Sequence, residues 1–183
     1  MTRGQVLFSD GFERNELGPD WRVLEGAARV EGGGLHLEGP SNVTVACTKP
    51  FPGDVRLEYE GYVVEGSNLA DISCFLCSTA EGGWGKGYFF GFGSYLNTDS
   101  RIKRFGQVKA SVNSPLIERS GRVYRIAAER LGAALALYID GEAAVRWEDP
   151  DPLGPEHCYV GLYSFGTHVV IARFVVTVPH GAG

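Results

Sequence analysis

A chain of 183 residues, 44% of them hydrophobic and 21% charged, is long enough to bury one core without staples, and its composition excludes a disordered chain. The formal net charge of −5 supplies no basic field, so nucleic acid is not an expected partner. No apolar run approaches the roughly 18 residues of a membrane helix and residues 1–10 lack the apolar region of an export signal, so the chain is expected to be cytoplasmic and to bind no membrane.

Almost every periodic stretch has period two, and none sustains an amphipathic helix over three turns. Residues 5–8 read as a first short strand, followed by a loop over 9–20 and strands at 21–25, 28–31 and 35–38. The last two are joined across Gly32-Gly33-Gly34, where a hairpin closed by glycines at positive φ is the simplest turn. Residues 42–48 alternate Val43 and Val45 with polar neighbours until Pro50-Phe51-Pro52-Gly53 stops them. Over 54–65 the alternation is cleanest: Val55, Leu57 and Tyr59 take one face, and Arg56, Glu58, Glu60 and Tyr62 the other.

Residues 70–79 are apolar on both faces, as in a strand buried within a sheet. Cys74 and Cys77 lie in this run, where three-residue spacing points them to opposite faces. With Cys47 and Cys158 they read as reduced thiols, small hydrophobes rather than metal ligands. After the glycine loop 81–86, Tyr88, Phe90 and Phe92 share one face, with Phe89, Gly91 and Gly93 on the other. A turn leads to a strand carrying Arg101, Lys103 and Arg104; strict alternation puts the first two on one face and Arg104 on the opposite one.

A loop through Asn113-Ser114-Pro115 precedes a meander over 123–130, 133–139 and 142–147, its second hairpin marked by Asp140-Gly141, a type I′ signal. Pro150, Pro152 and Pro155 hold an extended connection to closing strands at 159–165 and 168–178. About a dozen short strands with turns every eight to twelve residues predict an all-β, single-domain jelly-roll β-sandwich of two antiparallel sheets, with a closed barrel as the alternative. The lack of a fixed-period repeat argues against a propeller or solenoid.

The order of these signals resembles the concanavalin A-like lectin/glucanase superfamily. Phe8-x-Asp10-x-Phe12-Glu13 leads to Trp21 and then to Arg29-Val30-Glu31-Gly32-x-x-Leu35-x-Leu37; late in the chain come Tyr124-Arg125-Ile126, Leu137-Tyr138-Ile139-Asp140-Gly141 and Val160-Gly161-Leu162-Tyr163-Ser164-Phe165. Laminin-G and laminarinase-type domains look like this at both ends. In the middle, Tyr88, Tyr95-x-Asn97-Thr98 and Arg101-x-Lys103-Arg104 resemble uncharacterised bacterial sandwich proteins encoded with polysaccharide-degrading enzymes. More loosely, they resemble the 3-keto-disaccharide hydrolase family. Both resemblances imply a concave sheet face that holds a mono- or oligosaccharide.

Two departures limit what carries over. No Glu-x-Asp-x-(x)-Glu strand of the laminarinase type occurs, and Ile171-Ala172-Arg173 stands where many relatives place an acidic calcium ligand. No cofactor or metal is expected, with Asp10 the sole residue left as an ion ligand.

Sugar binding asks for aromatic faces against the apolar side of a ring and planar polar groups for vicinal hydroxyls. Trp84, Tyr88 and Tyr95 are candidates for the first, and Asn97, Arg101, Lys103 and Arg104 for the second. An arginine fork also suits a uronate carboxylate. The competing reading places Tyr88, Phe90 and Phe92 in the core and the cations on a solvated edge. Glu58 and Glu60, about 7 Å apart by strand rise, are spaced either as a glycosidase's carboxylate pair or as ordinary exposed acids.

Among His36, His157, His168 and His180, His168 begins the last strand and is the candidate base. No nucleophile elbow, P-loop or dinucleotide fingerprint is present. Three functions follow: a saccharide binder; a lyase or 3-keto-glycoside hydrolase in which His168 or Tyr95 moves the proton; or a non-catalytic module that forms a homodimer through a sheet face. If the aromatic run is core, the site contracts to Tyr95, Asn97 and part of the basic cluster.

Overall fold

A computed structural model describes residues 4–181; residues 1–3, part of the segment read for an export signal, and 182–183 lie outside it. In chain order the strands are β1 (Val6–Asp10), β2 (Trp21–Glu25), β3 (Ala28–Glu31), β4 (Gly34–Cys47), β5 (Val55–Val63), β6 (Ser73–Ser78) and β7 (Tyr88–Gly93). They continue as β8 (Asp99–Arg104), β9 (Gln107–Val112), β10 (Tyr124–Leu131), β11 (Ala134–Ile139), β12 (Glu142–Glu148) and β13 (Tyr159–Thr177). All pair antiparallel.

Two long strands join the layers of the sandwich. The second half of β4 and the first half of β13 belong to a front sheet ordered β2-β4-β13-β6-β7-β8-β9. Their other halves belong to a back sheet in which β12-β11-β10-β5 continue into β13, flanked by β1, β4 and β3. The sequence pattern divides each of these strands in two. The breaks are bends instead: a register shift between Phe165 and Thr167 at Gly166, whose φ is +60°, lets β13 turn from one sheet to the other without ending.

Between the sheets, alternation does what the pattern of β5 requires, burying Val55, Leu57, Tyr59 and Val63 while Arg56, Glu58 and Glu60 face outward. Removing such a side chain from water contributes about 1.5–3 kcal/mol. Phe92 of β7 meets Tyr124 of β10 edge-on at 5.0 Å, joining front to back, and the buried Tyr59 hydroxyl donates to the Ile72 carbonyl at 3.0 Å. The turns at Gly32-Gly33 and Asp140-Gly141 have positive φ at both central residues, as a type I′ hairpin demands.

Two local differences from the sequence reading have backbone causes. Cys77 adopts φ +53°, and β6 places three steps against two of β13, so this bulge returns Cys77 to the core, the side that Cys74 also faces, rather than to the opposite face. All four cysteines are free. Strand β9, where Val108, Ala110 and Val112 alternate with polar residues, forms the outer edge of the front sheet and is absent from the expected elements.

Candidate functional site

The hairpin of β7 and β8 sorts its side chains between the core and the outer face of the front sheet. Tyr88, Phe90 and Phe92 are buried in the core, Tyr88 at 1% exposure. The Tyr88 hydroxyl donates to Asp149 Oδ2 at 2.6 Å and accepts from Leu153 N at 3.0 Å. Arg104, opposite Tyr88 in register, sets its Nε 2.9 Å from the same carboxylate oxygen, an ion pair that is not aligned as a hydrogen bond, and donates to the Asp151 carbonyl at 2.9 Å. Burial, then Asp149, push the Tyr88 phenol up to about 12. Tyr88 and Arg104 thus form a lock onto the segment after β12, away from the outer face.

On that outer face lies a second apolar layer. Phe75 and Phe89 are buried outside the inter-sheet core, and Tyr163 meets Phe89 edge-on at 5.2 Å. A single 3-10 turn at Gly83–Lys86 sets Trp84 over them, 5.6 Å from Tyr163 and 6.1 Å from Phe89. Gly161 makes room for the layer, since a Cβ there would meet the Phe75 ring at 2.4 Å. Beside the turn, a cavity of about 150 Å³ is lined by Leu24, Thr44 and Trp84, and the buried Thr44 hydroxyl has no hydrogen-bond partner among the described residues.

Lys103 projects from β8 onto this layer, its Nζ 5.4 Å from the Trp84 ring and 4.9 Å from the Phe89 ring. Neither a carbonyl nor a carboxylate holds its ammonium among the described residues. Burial, then the Arg101 charge, keep it below the usual lysine range, against the opposing pull of Asp71 and Asp99. Arg101, two residues back on the same face, is occupied by an ion pair with Asp99 and lies 5.5 Å from the Tyr95 ring.

Asp71 completes the site and is not among the sequence candidates. Its Oδ1 accepts the Ser73 hydroxyl at 3.1 Å and the Ser94 hydroxyl at 3.0 Å, while Oδ2 has no protein partner among the described residues and is not sealed from solvent. Gly91 permits this, because a Cβ there would fall 2.0 Å from Ser94 Oγ. The residue is 4% exposed, and burial pushes its carboxyl up to about 6 against the two hydroxyls, Lys103 and Arg101. One acid inside a run without other charges is the available signal, because a buried carboxylate costs stability and perturbed buried acids collect at functional sites.

Between β7 and β8 the chain makes one left-handed helical turn. Tyr95, Leu96 and Asn97 have φ of 52°, 59° and 61°, and Thr98 N bonds back to the Ser94 carbonyl at 3.0 Å. Left-handed backbone at Tyr and Leu costs about 1–2 kcal/mol each. The Asn97 side chain holds the turn: its amide donates to the Ile117 carbonyl at 2.8 Å and accepts from Ile117 N at 2.9 Å. Tyr95 is left 74% exposed at the rim.

The remaining candidates lie elsewhere. His168 Nε2 is 2.9 Å from His36 Nδ1 and its Nδ1 is 3.6 Å from Glu38, a cluster on β4 and β13 that makes no contact with Tyr95. Burial lowers its pKa first, and Glu38 opposes the shift. Glu58 and Glu60 stand on the back sheet's outer face, ion-paired with Arg56 at 2.8 Å and Arg173 at 3.9 Å. Asp10 commits both oxygens to Phe12 N, the Arg14 guanidinium and the Trp21 indole; burial raises its pKa, but these bonds hold it below the usual range. No group of three His, Cys, Asp or Glu among the described residues is arranged to hold a metal ion. Of the eight sequence candidates, the outer face therefore brings together Trp84, Lys103, Arg101 and Tyr95, with Asn97 behind the turn, and leaves out Tyr88, Arg104 and His168.

No family model matches the chain, and no curated protein does. Solved structures do. A protein of unknown function with a galectin-like fold from Bacillus subtilis superposes with a TM-score of 0.75 at 15% identity, covering 97% of each chain. The carbohydrate-binding module CBM66 from Bacillus subtilis gives 0.73 at 14% identity over 86% of this chain and 95% of its own. An endo-β-1,3-glucanase from Pyrococcus furiosus gives 0.70 at 10% identity over 96% and 94%. The chain has the concanavalin A-like, galectin-like sandwich fold of these proteins.

Proposed function

We propose that the outer face of the front sheet binds a neutral saccharide between Trp84, Lys103 and Asp71. The carrying observation is a pair of groups without hydrogen-bond partners beside an aromatic face: the Lys103 ammonium, which lies over the Trp84 and Phe89 rings, offers donors and Asp71 Oδ2 an acceptor, and neither is hydrogen-bonded to the protein among the described residues. Sugar hydroxyls both donate and accept, so they suit both groups while the ring's apolar side lies on Trp84. A uronate suits the site less well. Arg101 and Arg104 are already committed to carboxylates, and Asp71 would repel an acid.

That a carbohydrate-binding module and a glucanase share this fold supports the reading at the level of fold only. A hydrolase or lyase is the second reading, favoured by one observation: a carboxyl at about 6 is suited to move a proton near neutral pH. In that case Asp71 takes the role expected of His168 or Tyr95.

Isothermal titration against a panel of neutral and acidic mono- and oligosaccharides tests the binding. Trp84→Ala and Lys103→Met are each expected to weaken affinity about tenfold or more, and His168→Ala to leave it unchanged. Unaltered affinity in both front-face variants, or loss in His168→Ala alone, contradicts the assignment. Turnover of a bound glycoside by the native protein would establish the second reading.

A further inference from the structure

The left-handed turn is a strained way to close a hairpin. Glycine tolerates such backbone, yet here Tyr95 and Leu96 occupy it and are 74% and 64% exposed. Strain persists where the surrounding structure enforces it, and it collects at sites of function. Here the enforcing contacts are the paired Asn97–Ile117 bonds, Thr98 N to the Ser94 carbonyl, and Ser94 Oγ to Asp71, which ties the turn directly to the proposed acceptor. What the turn gains is position. It holds the Tyr95 ring beside Arg101, and its exposure leaves the ring accessible.

Trp84 and Tyr95 are thereby placed in register with one strand. Lys103 lies on Trp84 and Arg101 on Tyr95, and these cations are two residues apart on the same face of β8, about 7 Å by strand rise. The two aromatic rings thus accompany neighbouring same-face positions of a single strand.

We infer that the site reads at least two consecutive sugar rings laid along β8, one on Trp84 and the next on Tyr95, and that Asn97 is the positioning residue for the second platform. This rests on the saccharide reading above and extends it: the ligand class is an oligosaccharide, and a monosaccharide fills half the site. Asn97 touches no sugar. Its amide is committed to Ile117, and it acts by fixing the backbone that carries Tyr95.

The test is affinity against chain length, by isothermal titration with matched mono-, di- and trisaccharides of glucose, galactose and fructose. For whichever sugar binds, affinity is expected to rise about tenfold or more from one ring to two. Tyr95→Ala should erase that rise while leaving monosaccharide affinity within about twofold. Asn97→Gly keeps a left-handed backbone accessible but removes the amide bonds, and should behave as Tyr95→Ala does; circular dichroism and the melting temperature check that both variants fold. Leu96→Gly, which relieves strain with the clamp intact, should raise the melting temperature and keep the length dependence. Equal affinity for one and three rings in the native protein, or a length dependence that survives in both Tyr95→Ala and Asn97→Gly, overturns the inference while the saccharide site stands. Binding of no saccharide at all overturns the site and the inference together.

Discussion

Asparagine in place of Asp71 is expected to stabilise the protein at pH 7 and to abolish its binding of saccharide. The carboxyl sits at about 6 in the folded chain against 3.8 for the free group, and burial is the main cause. A difference of that size corresponds to about 3 kcal/mol. Because the folded chain holds this proton more tightly than the unfolded one, stability falls as pH rises from about 4 to 6 and stays low above. The substituted amide has no charge to desolvate, and its oxygen can still accept from Ser73 and Ser94.

Denaturant midpoints measured from pH 4 to 8 should therefore fall more, or rise less, between pH 4 and 6 in the native protein than in Asp71→Asn, with the variant the more stable at pH 7. The acceptor for the sugar is lost at the same time, and in the native protein affinity should decline as pH falls through 6. A variant that is less stable at pH 7 would mean that the charge is offset by contacts within the fold and not held for a ligand.

Asp149→Ala is expected to act in the opposite sense and far from any ligand. The carboxylate is 3% exposed and receives the Tyr88 hydroxyl, the Arg104 guanidinium and, on Oδ1, Asp151 N at 3.0 Å. Removing it strands a charge and a phenol at the junction of β7, β8 and the segment after β12. Breaking a buried pair on one side costs about 3–5 kcal/mol, a large share of the roughly 5–15 kcal/mol that holds a typical domain folded. Replacing Arg104 by Met in the same chain should recover part of the loss, because the two residues share one interaction. Chemical denaturation of the two single variants and the double variant measures this. Strict additivity would show that the carboxylate and guanidinium act independently.

Much of the fold is legible in the residues themselves. Strand β5 announces its inward face through Val55, Leu57 and Tyr59, and Gly32-Gly33 and Asp140-Gly141 specify their hairpins because few residues accept positive φ twice in succession. Less visible is the continuity of β4 and β13. A glycine inside a strand pattern reads as an end, and only the pairing of both halves with different partners shows it to be a corner.

For the site, alternation separates Tyr88 from Phe89 and Arg104 from Arg101 and Lys103, as the bare sequence requires. It does not say that Tyr88 and Arg104 converge on Asp149, a residue 61 positions from Tyr88 in the chain. Nor does it single out Asp71: alternation sets it with Ser73 and Phe75 on the face away from Ile72 and Cys74, but within a run that reads as buried on both faces the acid carries no mark of its hydroxyl partners Ser73 and Ser94. Asn97 reads as a ligand for its amide, and that amide serves the backbone of a distant loop. Contacts made across long stretches of chain decide these roles, and period-two patterns carry no information about them.

The three tryptophans give the outer-face site its most direct test. The Trp21 indole donates to Asp10 at 2.7 Å and Trp147 packs edge-on against Tyr88 at 6.5 Å, whereas Trp84 lies over the outer face beside Lys103. Each contributes one indole N–H resonance to a ¹⁵N-correlated spectrum. On titration with a neutral disaccharide that binds, the Trp84 resonance should move saturably and those of Trp21 and Trp147 should stay in place. A stationary Trp84 resonance alongside saturable shifts in residues of the back sheet would contradict a site on this face.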